Sequence, residues 1–277
     1  MQEFLQNPTV EPIVASVQSL EVLELFLAQG DDVNLAPREL QRAWVGLSTG
    51  GKLSVSPAEY EANKGPRFGD SNPERMEIAF WKDMIRTGGN AYSSRMHYKD
   101  QDPYPFSTPI WSFDRFGSTI TRLKDGRFVQ IGGEHEDYYD PDFYIYNDVV
   151  IHDGRGGVEL YGYPRDVFPP TDNHSATLCP DGIYIIGCLG YMDDRQAGYT
   201  PVYRLELESW RITPVATFGE MPGWIHRHRA KLDPDQGTIS IVGGQVHVVQ
   251  DGESNLAANE HEFVLDLATR VWRQVRP

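Results

Sequence analysis

The sequence predicts a mainly β chain preceded by a helical region, and three observations carry that prediction. Apolar positions 20, 23, 26 and 27 fall on one face of a helix within residues 19–28. Near residue 105 the pattern changes to short apolar runs separated by turn residues. Beyond that point a strand-and-turn unit recurs, with Gly132, Gly187 and Gly243 spaced by 55 and 56 residues. The chain therefore divides into 1–105 and 106–277. Its 277 residues are enough to bury a sizeable core.

The helix at 19–28 has its natural stop in Gly30. Residues 25–34 resemble the second helix and turn of an ankyrin repeat, and residues 80–90 have similar grammar. Between them residues 50–73 are rich in Gly, Pro, Ser and Asn and are expected to form a long loop. The region reads as a cap on the second part or, if the ankyrin resemblance is followed, as a partner-recognition surface.

In the second part each unit pairs a turn with an apolar strand ending in glycine: residues 123–133, 178–188 and 232–244. An upstream strand is expected at 117–121, 174–178 and 228–232, and a downstream one at 148–152, 202–207 and 262–267. A fourth follows around Tyr161, Trp210 and Trp272. Four short strands at a fixed period are the signature of propeller blades. The residues His174…Gly187 and His228…Gly243-Gly244…Trp272 resemble the kelch repeat, with Gly132-Gly133 and Tyr146 as a less complete copy lacking the histidine. The resemblance implies kelch-like propeller blades over 106–277. Three blades cannot close alone, so the expectation is a homodimer of six blades, a fourth blade within 40–105, or coverage by the N-terminal region, the last being favoured.

Charge narrows the partners. Forty Asp and Glu against 25 Lys and Arg leave −15, which repels nucleic acid and anionic lipid and suits a basic protein partner. Residues 101–277 hold most of that excess. No apolar stretch is long enough to span a membrane, and the first residues lack the basic start of a secretory signal. With Cys179 and Cys188 the only cysteines, a disulfide framework is excluded and a cytoplasmic setting is expected.

Two groups of residues could carry chemistry. Glu134, His135, Glu136, Asp137, Asp140 and Asp142 crowd five carboxylates and an imidazole into one stretch. That stretch reads as a solvated acidic loop, a protein-binding loop, or a site for a divalent metal through Glu134, His135 and Glu136. The second group is Arg115, Asp172, His174, His226, Arg227 and His228. If the repeat registry holds, these lie near the first strands of the units, where histidine with a carboxylate can move protons and arginine can hold an anion. The histidines His174 and His228 also fit a structural role, and His226 falls outside the repeat pattern. No nucleophile elbow, phosphate-binding loop or His-Glu-x-x-His zinc motif is present.

The leading expectation is a non-enzymatic protein-binding module of kelch type, for instance an acidic inhibitor or immunity-like protein for a basic partner, without a cofactor. The alternative is a small-molecule, sugar-type isomerase or epimerase, or a metal-dependent enzyme, with His226, Arg115, Asp172 and His174 as the catalytic candidates.

Overall fold

The computed structural model describes residues 17–29, 33–47, 51–101, 108–137, 140–250 and 252–275, without the side chains of 17–19, 26, 28, 29, 137 and 140–142. The helical region holds α1 (Val17–Gln29), α2 (Arg38–Trp44), α3 (Pro57–Asn63), α4 (Ala79–Thr87) and α5 (Ala91–Tyr98). Of the expected α1 stripe, Leu23 is fully buried while Leu20 and Leu27 stay exposed, and Phe26 and Gly30 lie outside the description. The expected loop at 50–73 is interrupted by α3. Its start is dictated locally: Ser56 Oγ accepts the Glu59 amide at 3.1 Å, and Pro57 stands where a missing amide costs nothing. A left-handed Gly88 (φ 68°) ends α4, and an Asn90–Ser93 capping box starts α5. The ankyrin resemblance is not upheld. Instead of stacking as repeats, α1 packs on α2 and α4 packs on α3.

Three antiparallel sheets follow. The first runs Glu74–Arg75, Val158–Gly162, Val149–His152, Phe128–Ile131, Thr119–Arg122. The second runs Ile212–Pro214, Val202–Leu205, Gly182–Ile186, Ser175–Cys179. The third runs Phe218–Gly219, Val271–Val275, Glu262–Asp266, Thr238–Val242, Arg229–Asp233, with Phe218–Gly219 added in parallel. A hairpin ribbon of Trp224–His226, Gln245–Gln250 and Glu253–Ala258 and a two-stranded ribbon of Glu134–Asp137 and Asp140–Ile145 complete the strands described. The expected strand positions thus hold to within about two residues, apart from Trp210, which sits in the turn before Ile212–Pro214.

The three sheets stand side by side, the second between the other two. Strand alternation explains this. On Gly182–Ile186, Ile183 and Ile185 join the core against the first sheet, while Tyr184 and Ile186 join the core against the third. A strand apolar on both faces must be covered on both. The first sheet in turn shares its other core with the helices, where Trp81 stacks on Trp111 at 5.2 Å between ring centroids.

The kelch and propeller expectation is corrected here. Among the described residues the sheets are separate antiparallel units and none closes into a ring. Two of the glycines that end the second strands, Gly132 and Gly187, report a local packing need instead. A Cβ on Gly132 would lie 2.2 Å from the Thr171 carbonyl oxygen, and one on Gly187 would lie 2.2 Å from that of Ile225. Any sheets stacked this closely demand glycine there, so the motif marks stacking without specifying closure.

Candidate functional site

The first strands of the three sheets, Thr119–Arg122, Ser175–Cys179 and Arg229–Asp233, lie beside one another and are tied where each begins. Gly117, Asn173 and Arg227 occupy equivalent places, all with left-handed backbone (φ 63°, 52° and 55°). The Asn173 amide donates to Gly117 O at 2.7 Å and the Arg227 amide to Asn173 O at 2.8 Å. Side chains repeat the tie. His174 Nε2 lies 2.8 Å from Thr119 Oγ1, and His228 Nε2 lies 2.9 Å from Ser175 Oγ. Burial holds His174 down to about 3 and His228 down to about 4, so both are neutral latches between sheets.

At the rim above these strands the structure gathers Glu134, Asp172, His226 and Arg227, four residues that lie up to 93 positions apart in the sequence. Asp172 is buried, its Oδ1 accepting the Gly190 amide at 2.8 Å and its Oδ2 the Asn173 side-chain amide at 2.6 Å. Desolvation raises its pKa. Burial also raises Glu134, helped by the Asp172 and Glu136 carboxylates and opposed by His135 and Arg227. His226 is 1% exposed, and among the described residues neither ring nitrogen has a hydrogen-bond partner. Burial, then Arg227 and Arg195, hold it down to about 4. Arg195 escaped the sequence reading, since it sits outside the repeat. It is anchored by donating to the Leu189 and Gly190 carbonyls at 3.0 and 3.1 Å.

Arg115 is elsewhere, sealed between the helices and the first sheet. Its guanidinium pairs with both Asp148 oxygens (2.5 and 2.9 Å) and donates to Ser112 O and Gly132 O. It lies 3.4 Å over the Tyr146 ring and 4.8 Å over Trp111, whose indole also donates to Asp148. These bonds occupy its Nε and both Nη atoms, which places Arg115 in the scaffold.

The acidic stretch forms the two-stranded ribbon. Its alternation separates the metal candidates: His135 is 3% exposed with Nδ1 2.7 Å from Asp114 O, while Glu134 is half-buried and Glu136 exposed. Asp137, Asp140 and Asp142 contribute backbone to the ribbon, and their side chains lie outside the described residues. Among the described residues no three His, Cys, Asp or Glu side chains converge as a metal site would need. Both cysteines are buried, which raises their thiols, Cys179 up to about 12.

Along the first strands runs an open groove of about 1200 Å³. Its walls are mostly small, hydroxyl-bearing and apolar residues, with Arg122, Arg227, Arg229 and Lys231 as its charges and no Asp or Glu in the lining. Arg122 is engaged by Glu24 of α1 at 2.7 Å. On Arg229–Asp233, alternation turns Arg229 and Lys231 to solvent and Ala230 and Leu232 to the core.

No protein-family model matches the chain, and no curated protein matches it. A solved structure described as "Structure of YjhT" is similar over 59% of this chain and 52% of its own, at 11% identity and a TM-score of 0.43. The chain thus spans about half the length of that structure. Among the described residues no helix is long and apolar enough to cross a membrane.

Proposed function

We propose that the protein is a binding protein whose groove takes an extended, acidic segment of a partner protein. The observation that carries this reading is the groove's charge. A chain of net −15 has placed Arg227, Arg229 and Lys231 along an open groove whose lining holds no carboxylate. At about 1200 Å³ the groove also exceeds the roughly 300–1,000 Å³ of ordinary small-molecule sites, so it suits a stretch of chain better.

The enzymatic alternative has less to stand on. Arg115 is consumed by Asp148, both thiols are neutral, and His174 and His228 are tied to hydroxyls. A basic partner would have to meet the acidic outer surface and not this groove.

The test is fluorescence anisotropy with a labelled ten-residue polyglutamate peptide and a polylysine peptide of equal length. Saturable polyglutamate binding that weakens with salt is expected, because exposed charges are screened within about 8–10 Å at physiological ionic strength. The variant Arg229→Glu/Lys231→Glu is expected to weaken it at least tenfold. Tighter polylysine binding, or polyglutamate binding indifferent to that variant, would overturn the reading.

A further inference from the structure

A second concavity, of about 720 Å³, shares no lining residue with the groove and lies between the segment around Arg165–Thr171, the turn at Met192–Asp194 and Trp224. From its lining we infer that this pocket binds a small organic cation, an alkylammonium group. Its volume falls within the range of small-molecule sites, roughly 300–1,000 Å³.

The charge comes first. Asp166, Asp193 and Asp194 line the pocket with Arg165 as the single basic residue. Arg165 is already committed to Asp194, its Nη2 lying 2.9 and 3.2 Å from the two carboxylate oxygens. Asp166 and Asp193 form no ion pair among the described residues and leave the pocket negative. An anionic ligand is therefore repelled.

The aromatic wall supplies the rest. Trp224 is nearly buried, and its indole N–H donates to Leu189 O at 3.1 Å, which fixes the ring. Tyr199 stands against it, ring centroids 6.5 Å apart and planes tilted by 42°. The buried Cys188 thiol, kept protonated by desolvation, adds an apolar patch. Ring faces attract a cation through their quadrupole, and a quaternary ammonium, which donates no hydrogen bond to water, is the kind of cation such aromatic sites take. A lining that combines carboxylates with Tyr199, Tyr203 and Trp224 suits an ammonium head.

The probe is choline, followed by tryptophan fluorescence and calorimetry on the full chain, with 3,3-dimethylbutan-1-ol as an uncharged control of the same shape. Saturable choline binding is expected, at least tenfold tighter than the control. Asp166→Asn/Asp193→Asn, at two exposed positions, is expected to weaken choline at least fivefold. The groove variant Arg229→Glu/Lys231→Glu is expected to leave it unchanged, which separates this site from the groove. Absence of saturation, equal binding of the control, or choline binding indifferent to the two Asp→Asn changes would overturn the inference.

Discussion

At the scale of single residues, the buried polar groups are where the fold is most exposed to a point change. Asp148 neutralises Arg115 and accepts the Trp111 indole in a site closed to water. Asp148→Ala leaves an uncompensated buried charge, an error that typically costs about 3–5 kcal/mol. Urea unfolding should show a loss of that order, and a loss under about 1 kcal/mol would mean that water already reaches the guanidinium. The histidines predict a pH dependence. His152, His174, His226 and His228 are held at about 3, 3, 4 and 4, below their ordinary 6.5. The unfolded chain therefore takes up protons between about pH 6.5 and 4 that the folded chain refuses. Stability is full above 6.5 and drains as pH falls. The raised Asp172 and Glu134 act in the opposite sense, but in the carboxylate range. Between pH 7 and 5 the unfolding midpoint should fall, and His174→Gln/His228→Gln, which can keep the hydroxyl contacts but not titrate, should flatten the slope. An equally steep slope in that variant would contradict the latch assignment.

Among elements, the recurring glycines distinguish a stacked sheet from an open one. Gly132, Gly187 and Gly243 all have left-handed backbone, so each alanine costs about 1–2 kcal/mol by conformation alone. Packing separates them. The Cβ of Gly187→Ala would meet Ile225 O at 2.2 Å, whereas nothing lies within 4 Å of that of Gly243. Gly187→Ala should therefore fail to fold or lose several times more stability than Gly243→Ala in parallel urea titrations. Equal losses would show that the third sheet is covered on that side in solution. The motif was legible in the sequence as a 55-residue recurrence, and so were the strands. The helix α3 was hidden by the Gly, Pro and Ser around it, although Ser56, Pro57 and Glu59 form a start signal that could have revealed it.

For the whole molecule, net charge and the charge of the groove differ in sign. The −15 total suits a basic partner, while the open groove along the first strands is lined by Arg122 of the first sheet, Arg227, and Arg229 and Lys231 of the third, with no carboxylate in its lining. The resulting prediction is a salt slope. Affinity for the acidic peptide should drop as ionic strength rises, whereas choline in the aromatic corner, held partly by ring faces, should respond less. A choline affinity as salt-sensitive as that of the peptide would place the aromatic wall outside the contact.

The sequence by itself determined what is decided within a few residues: turns, alternating strand faces, positions that tolerate only glycine, and a helical beginning distinct from a β continuation. Tertiary structure alone decided the rest. It set Arg115 against Asp148, 33 positions away, brought Glu134, Asp172, His226 and Arg227 to one rim, and left the sheets as separate units instead of a ring. The physical reason is range. Backbone sterics and side-chain periodicity act between neighbours and leave a periodic trace in the chain. Closure, charge pairing and the sign of a groove depend on which distant surfaces meet, and that is settled only when the apolar faces of whole sheets are buried against each other.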